Sequence, residues 1–352
     1  MRFSMCQKKK NVDPRGRGGQ IQKPLTDPCK DMKPVIFEPL ANEAKRSLTP
    51  VQEEILRLKG EKNAVILAHN YVDREIQEVA DFVGDSLGLS FAARDTAADI
   101  IVFCGVDFMA ETAKILNPSK KVLIPDAGAG CSLEESCPPE KLAKLKAEHP
   151  GAAVVSYINC SGGVKALSDV ICTSGNADTI VRNIPEGREI IFAPDKNLGG
   201  WVMEQTGRRM ILWDGSCYAH EEYSPEPLAR LREELGAPVV CHPECPKPVR
   251  DICDMVCSTE KMIKWAKDHP SGKIIVATVT QMIHRLRREI PNKTFIAAPL
   301  DGKPCQNCRH MDKNTVEKLL ACLRGETPEV TVRPDLAGKA RASIERMLEW
   351  SK

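Results

Sequence analysis

The sequence predicts an α/β fold of three αβα lobes with short parallel sheets, related to one another by pseudo-threefold symmetry. One pattern, which repeats three times with a period of roughly 90 residues, indicates the three lobes. Short apolar runs that alternate with amphipathic stretches indicate parallel sheets covered by helices on both faces. A lobe of about 85 residues is marginally stable alone, so the three lobes are expected to share buried interfaces.

The elements follow one order in each lobe. An amphipathic helix (VQEEILRLKG, PEKLAKLKAEH or EPLARLREELG) precedes a first strand that ends near His69, Tyr157 or His242. Seventeen residues later come Ser86, Ser174 or Thr259, each five residues after an aspartate (Asp81, Asp169 or Asp254), and a second helix follows this hydroxyl residue. A strand (DIIVFCG, EIIFAP or KIIVAT), another helix and a last strand (KVLIP, MILWD or TFIAAP) complete each lobe.

These patterns predict the boundaries of the parts. We expect a flexible N-terminal tail over 1–45, where Pro, Gly and Lys dominate without a period. The lobes are predicted over 46–131, 132–217 and 218–308. C-terminal closing helices are predicted within 309–352, over 313–324 and 334–351, with Pro328 and Pro334 marking breaks.

Composition narrows the class of protein. A net charge of +2 gives no reason to expect a nucleic-acid partner. The sequence has no run of about 18 apolar residues for a membrane span and no apolar core of a secretory signal, so we expect a cytoplasmic protein without membrane contact. Fifteen cysteines in such a protein favour reduced thiols that bind metal or pack in the core.

The repeat places one cysteine after the last strand of each lobe. These are Cys131, Cys217 and the pair Cys305/Cys308, which lie 62, 60 and 63 or 66 residues after the first polar strand end. Three thiolates do not complete a four-thiolate structural zinc site. They match a [4Fe-4S] cluster with one iron left open to substrate, which predicts a central iron–sulfur site.

Other cysteines resemble a zinc site. Cys241, Cys245, Cys253 and Cys257 have the spacing C-x3-C-x7-C-x3-C, which is wider than the usual C-x2-C pairs. Cys241, Cys253 and Cys257 align with Ala, Ser, Gly or Cys in the other repeats, so we interpret these three as packing residues. Cys245 aligns with Cys160 and Val72, and is expected near the active site without being a ligand.

The hydroxyl residues of the repeat have two interpretations. Ser86, Ser174 and Thr259 could each cap the helix that follows. Alternatively, their hydroxyls and the exposed amides of the helix starts could bind anions. Because three copies follow three polar strand ends, we favour anion binding, which suits a substrate with several carboxylates or a phosphate.

Several separated stretches resemble the quinolinate synthase family. They are ILAHNY, ADFVGDSLGLS, GVDFMAETAKILNP, VSYINCSGGVKALSDVICTSGNA, PDKNLGGWV, ILWDGSCYAHEEY and CHPEC, and the match runs from about residue 50 to 325. The resemblance implies three αβα lobes around a central [4Fe-4S] cluster. It also implies condensation of iminoaspartate with dihydroxyacetone phosphate, with loss of phosphate and two waters, to give quinolinate for NAD biosynthesis.

The resemblance also implies roles for individual residues. Cys131, Cys217 and Cys308 match the cluster ligands. Repeat spacing slightly favours Cys305, but C-x-x-M-x-x-N of the family matches Cys308 to Asn314. Cys305 would then be either a redox partner of Cys308 or a passive neighbour.

The remaining matches concern substrates and protons. The family implies substrate contacts at His69, Ser86, Tyr157, Asn159, Ser174, His242 and Thr259. It implies acid–base steps at Tyr71, His220 and Glu244. One departure is Gly175, where we expect a second Ser or an Ala in the family's pattern. Transient contact with the enzyme that supplies iminoaspartate is a further expectation.

Two other classes of function remain open. The first is an iron–sulfur redox sensor or electron carrier, in which Cys305 and Cys308 would form the switch. The second is a zinc hydrolase or a zinc-structured binding protein. Metal and sulfide analysis separates all three classes.

Overall fold

The computed structural model describes residues 34–40, 47–303 and 305–352, and its fold is of the predicted α/β class. Most of the predicted tail, 1–45, therefore lies outside the described residues. The strands are β1 Ile36–Phe37, β2 Ala64–His69, β3 Phe82–Gly84, β4 Ile100–Cys104, β5 Lys121–Leu123, β6 Ala153–Tyr157, β7 Val170–Cys172, β8 Ile190–Ala193, β9 Ile211–Leu212, β10 Val239–Cys241, β11 Met255–Val256, β12 Lys273–Ala277 and β13 Thr294–Ala297.

Helices connect these strands. They are α1 Pro50–Glu61, α2 Arg74–Val79, α3 Ser86–Asp95, α4 Asp107–Leu116, α5 Ser132–Ser136, α6 Pro139–Glu148, α7 Gly162–Leu167, α8 Ala177–Arg182, α9 Lys196–Thr206, α10 Tyr218–Glu221, α11 Pro225–Leu235, α12 Lys247–Arg250, α13 Thr259–Asp268, α14 Met282–Glu289, α15 Val316–Gly325 and α16 Pro334–Trp350.

Three sheets share one strand order. Their orders are β3-β2-β4-β5, β7-β6-β8-β9 and β11-β10-β12-β13, and all of these neighbours are parallel. In each sheet the first strand in sequence lies between the second and the third. The predicted threefold repeat of short parallel sheets is therefore confirmed, and it places the carboxyl ends of β2, β6 and β10 in equivalent positions.

The repeat aspartates join two strands of each sheet. Asp81 Oδ2 accepts a hydrogen bond from the Ile66 backbone N–H at 2.8 Å. Asp169 does the same for Val154 at 2.8 Å, and Asp254 does so for Val239 at 2.8 Å. A buried strand N–H without a partner is costly, so these side chains explain why one aspartate recurs at this position. Their role is structural.

The ends of helix α1 follow from its sequence. The Thr49 hydroxyl accepts from the Gln52 N–H at 3.3 Å, and the Gln52 side chain accepts from the Thr49 N–H at 2.9 Å. This capping box and Pro50 in the first turn fix the start of the helix. The helix stops at Glu61, close to the end expected from VQEEILRLKG.

Two parts of the chain lie outside the threefold repeat and pack against it. Strand β1, inside the range assigned to the tail, pairs antiparallel with β13 through Ile36 and Phe37. At the other end of the chain, α15 packs against α1, and α16 packs against α7 and β7. The two closing helices agree with the prediction to within three residues at each end. The boundaries of the three lobes stay a prediction.

The central strands form the core. Every residue of β4, β6 and β8 is buried, as expected for sheets covered on both faces. Among the described residues, no helix has both the length and the apolar character to cross a membrane.

Candidate active site

The carboxyl ends of β2, β6 and β10 open into one cavity with about 680 Å³ of empty space, part of which is open to solvent. Ligands commonly bind at this edge of parallel sheets. The residues to which the resemblance assigns cluster, substrate or acid–base roles all line this cavity: Cys131, Cys217, Cys308, His69, Tyr71, Ser86, Tyr157, Asn159, Ser174, His220, His242, Glu244 and Thr259.

The three candidate cluster ligands occupy similar local structures. Each precedes a short helical turn, and backbone N–H groups of that turn point at its sulfur. Cys131 receives N–H bonds from Leu133 and Glu134, and Cys217 receives one from His220. Burial raises the pKa of the Cys131 and Cys217 thiols, and the N–H bonds oppose this by favouring thiolate.

Cys308 completes this donor set. Its sulfur receives N–H bonds from His310 and Met311 and a hydrogen bond from the Tyr218 hydroxyl. Burial raises the pKa of its thiol as well. Three sulfurs that line one cavity and each accept N–H bonds fit an iron–sulfur cluster, whose electronic properties depend on such bonds. Cys305 is partly buried and is not among the residues that line the cavity. Its redox role stays a prediction.

One further group has the composition of a metal site. Ligand atoms of Cys217, His220 and Glu244 lie within 4.8 Å of one another. However, His220 Nδ1 and Glu244 Oε2 are 2.7 Å apart, which is a hydrogen-bond distance. Two atoms bound to one tetrahedral zinc, each at about 2.1 Å, would be roughly 3.4 Å apart. This geometry favours a hydrogen-bonded pair over a zinc site.

The four cysteines whose spacing resembles a zinc site pack in the core of the predicted third lobe. Cys241, Cys245 and Cys257 are buried, and Cys253 is partly buried. The Cys253 thiol donates to the Val249 carbonyl at 3.1 Å, and the Cys245 thiol donates to the Ala277 carbonyl at 3.6 Å. Thiols that bond to backbone carbonyls behave as small core residues, which supports the packing interpretation.

The hydroxyl residues do not act as the caps of their helices. Asp85 is the N-cap of α3, and its side chain accepts from the Gly88 N–H at 2.9 Å. Ser258 holds the N-cap position of α13, which leaves Thr259 inside the helix. Ser174 precedes the N-cap of α8, Asn176. The capping interpretation is therefore wrong, and all three hydroxyl residues line the cavity instead.

Two of these hydroxyls are held by residues of another sheet. Ser174 Oγ lies 3.1 Å from His242 Nε2. Thr259 Oγ1 accepts from Asn70 Nδ2 at 3.0 Å. Since Asn70 follows β2 and His242 follows β10, the strand end of one predicted lobe orients the helix start of another in these two cases. No sequence pattern pointed to Asn70 beyond its place beside His69.

The three helix starts also approach one another at Gly175. A side chain added there would meet Ser258 Oγ at 3.4 Å, Thr173 Oγ1 at 3.6 Å and Asp85 Oδ2 at 3.7 Å. These are ordinary contact distances, so the Ser or Ala expected from the family pattern fits this position. Gly175 leaves a small space between the helix starts.

Glu244 holds together the acid–base residues. Its Oε1 accepts from the Tyr157 hydroxyl at 2.7 Å, and its Oε2 lies 2.7 Å from His220 Nδ1 and 3.7 Å from His242 Nδ1. Burial alone would raise the pKa of Glu244, but His220 and His242 lower it, and the carboxylate stays ionised. His220 Nδ1 also lies 3.3 Å from Cys217 Sγ, which links this group to a predicted cluster ligand.

Burial favours the neutral forms of two histidines and two tyrosines of the site. Burial lowers the pKa of His69 to about 4 and that of His242 to about 3. Burial, with the charge of Glu244 as second cause, raises the pKa of Tyr71 and Tyr157 well above the ordinary value. The Tyr71 N–H donates to His69 Nδ1 at 3.2 Å, so the Nε2 of this neutral ring carries the hydrogen.

Some residues of the site were missed by the sequence argument. Asp85 lines the cavity beside Ser86, and burial raises its pKa to about 6. His310 also lines the cavity, and neither ring nitrogen has a hydrogen-bond partner among the described residues. Both lie next to residues that were predicted, and neither belongs to the threefold pattern that guided the search.

Comparison with known proteins agrees with this geometry. A family model described as "Quinolinate synthetase A protein" matches residues 53–349. A quinolinate synthase of Chloroherpeton thalassium is 51% identical over 303 residues, which cover 85% of this chain and 94% of the relative. A quinolinate synthase of Gloeothece citriformis is 52% identical over 84% of this chain and 92% of the relative. One of Trichodesmium erythraeum is 50% identical, over 85% and 93%.

Proposed function

The chain belongs to the quinolinate synthase family, enzymes of NAD biosynthesis, and we propose that it condenses iminoaspartate with dihydroxyacetone phosphate to give quinolinate. Phosphate and two waters would leave in the reaction. The observation that carries this proposal is the convergence on one cavity of three thiols, three hydroxyl-bearing helix starts and a buried acid–base group.

Cys131, Cys217 and Cys308 would hold a [4Fe-4S] cluster. Three protein thiolates would leave one iron of such a cluster without a protein ligand, and that iron would supply Lewis-acid chemistry to a substrate hydroxyl or carboxylate. The N–H groups that point at each sulfur favour the thiolate form that this ligation requires. This donor set differs from that of a four-thiolate electron carrier, and a ring of acid–base side chains suits catalysis better.

The helix starts would bind the charged groups of the substrates. Ser86, Ser174 and Thr259 would receive carboxylate or phosphate oxygens together with nearby backbone amides. The side-chain oxygen of Asn159 is buried in the cavity wall and has no hydrogen-bond partner within the described part of the chain, so it would accept from an N–H of the substrate. His69, Tyr157 and His242 would complete the substrate contacts as neutral donors or acceptors.

Tyr71, His220 and Glu244 would move protons. Imine formation and elimination both require a group that accepts a proton and a group that returns one. Glu244 is an ionised carboxylate that contacts both His220 and Tyr157, so it stabilises positive charge that develops on the ring. We also propose a cytoplasmic location, where thiols stay reduced, and transient contact with the enzyme that supplies iminoaspartate.

The test is an anaerobic assay of the iron-loaded protein with dihydroxyacetone phosphate and iminoaspartate generated in place by oxidation of aspartate. We expect quinolinate to form. Glu244→Gln should lower kcat by about 100-fold or more, because it removes a proton acceptor and little volume. The exposed Glu226→Gln on α11 serves as the matched control and should keep full turnover.

The iron and sulfide content separates two explanations of a lower kcat, which are slower chemistry and loss of the cluster. Glu244→Gln should retain the iron and sulfide of the wild type. If cluster-loaded wild-type protein forms no quinolinate under these conditions, the proposed reaction is wrong.

A further inference from the structure

Thr278 is a buried residue that joins two of the proposed acid–base groups. It follows β12 directly and is 1% exposed. Its Oγ1 lies 2.5 Å from Tyr71 Oη and 2.8 Å from His220 Nε2. Tyr71 and His220 lie far apart in sequence, and the Thr278 hydroxyl is the bridge between them.

One hydroxyl can serve both neighbours. A carboxylate only accepts, so His220 Nδ1, which is 2.7 Å from Glu244 Oε2, carries a hydrogen and the ring is turned with Nε2 towards Thr278. A threonine hydroxyl has one hydrogen to donate and two lone pairs that accept, so Thr278 Oγ1 can hydrogen-bond to Tyr71 Oη and His220 Nε2 at the same time.

The backbone holds Thr278 in place. The Tyr223 hydroxyl donates to the Thr278 carbonyl at 2.7 Å, and Tyr223 itself is 3% exposed. The strand before it, β12, lies between β10 and β13 in the sheet. The hydroxyl therefore occupies a fixed position from which it can orient both partners.

The repeat shows that this hydroxyl is specific to the acid–base group. Gly105 follows β4 and Pro194 follows β8 at the positions equivalent to Thr278. Neither offers a side-chain hydroxyl, although the strands before them are built alike. A packing requirement of the repeat would apply to all three lobes, whereas only the lobe of Glu244 carries the hydroxyl.

We propose that Thr278 is a positioning residue that aligns Tyr71 with His220 for the reaction. Its hydrogen bond to Tyr71 Oη fixes the direction of the phenol oxygen. Its hydrogen bond to Nε2 holds the His220 ring against Glu244. This inference rests on the proposed function, because its effect appears in turnover.

The test compares Thr278→Val, which removes the hydroxyl and keeps the shape, with Thr278→Ser, which keeps the hydroxyl. In the cluster-loaded enzyme, Thr278→Val should lower kcat by about 10- to 100-fold, a part of what acid–base catalysis typically contributes. Its iron content, its quinolinate affinity and its KM should stay at wild-type values. Thr278→Ser should restore most of the turnover.

A matched control is Thr112→Val. Thr112 is 2% exposed, and its hydroxyl donates to the Phe108 carbonyl of its own helix at 2.7 Å. The Thr112→Val variant removes a buried threonine hydroxyl outside the acid–base group, so its kcat should stay at the wild-type value. A double variant adds specificity: Thr278→Val should slow the Tyr71→Phe enzyme by less than it slows the wild type, because the Tyr71–Thr278 hydrogen bond is already absent and only the contact with His220 remains to be lost.

Several results would overturn the inference. They are unchanged kcat in Thr278→Val, loss of turnover in Thr278→Ser as large as in Thr278→Val, or additive effects in the double variant. If Thr278→Val loses its cluster, Thr278→Ala carries the same comparison, because it removes the hydroxyl without placing a methyl group against Tyr71 and His220.

A crystal structure tests the positioning role of Thr278 independently of the proposed reaction. In a crystal structure of the cluster-loaded Thr278→Val enzyme, the Tyr71 and His220 rings should shift from their wild-type positions. Rings that stay in place would contradict the positioning role. Absence of quinolinate from the wild type would instead contradict the proposed function and leave this structural comparison valid.

Discussion

Replacing Asp85 with Asn should stabilise the protein at neutral and basic pH. The Asp85 carboxyl is 8% exposed, and burial raises its pKa from 3.8 to about 6. Because the folded-state pKa lies above the unfolded value, the protonated carboxyl supports folding at low pH. That support is lost as pH rises from about 4 through 6. An asparagine stays neutral and still accepts from the Gly88 N–H as an N-cap.

The size of the effect follows from the pKa difference. A shift of about 2 units corresponds to about 3 kcal/mol in the free energy of unfolding. The advantage of Asp85→Asn over the wild type should therefore rise from about 1.5 kcal/mol at pH 5 to about 3 kcal/mol at pH 8. Anaerobic urea denaturation at the two pH values measures it directly.

Asp268→Asn is the control, because it removes an exposed carboxylate at the end of α13. Its stability relative to wild type should not depend on pH in this range. An advantage of Asp85→Asn that is equal at pH 5 and pH 8 would refute the reasoning. Asp85 also lines the cavity beside Ser86, so its ionisation adds negative charge near the proposed anion site. Quinolinate affinity should accordingly fall above pH 6 in the wild type and fall less in Asp85→Asn.

Three further predictions follow from the site and the repeat. Ser86→Ala should weaken quinolinate binding by roughly 10- to 100-fold. Its melting temperature should stay unchanged, because Asp85 and not Ser86 caps the helix. Wild-type affinity in this variant would argue against an anion site. Asp169→Ala should lower the free energy of unfolding by about 1 to 3 kcal/mol, because the Val154 N–H loses its partner, and should leave the cluster intact. Urea denaturation and iron analysis measure the two quantities, and unchanged stability or loss of iron would contradict the structural role of Asp169. Replacing Cys241, Cys253 or Cys257 singly with Ala should preserve iron and sulfide content, and loss of iron in any of these variants would contradict their packing role.

The periodic features of the fold were predictable from sequence. Apolar runs that recur with polar ends predicted β2, β6 and β10 and the edge where their residues meet. The short strands β3, β7 and β11 escaped prediction, because two or three residues do not establish a period of two. The same holds for β1, whose two residues pair with β13 far along the chain.

Several tertiary contacts, within and between the lobes, were not predictable. Asp81 recurs in the sequence, but its bond to the Ile66 N–H depends on the position of a strand that was missed. Asn70 binds Thr259 across 189 residues of sequence, and no local pattern encodes that distance. Thr278 breaks the repeat, so an argument from threefold similarity passes over it. The repeat identified what the lobes share, while the chemistry depends partly on how they differ.

The central claim is that three cysteines of three lobes hold one iron–sulfur cluster in the cavity where quinolinate forms. An anaerobic count of iron and sulfide in the wild type, Cys308→Ser and Cys305→Ser tests it most directly. We predict about four irons and four sulfides per chain in the wild type and in Cys305→Ser, and neither a cluster nor quinolinate synthesis in Cys308→Ser. Zinc without sulfide in the wild type, or a full cluster with activity in Cys308→Ser, would contradict the account.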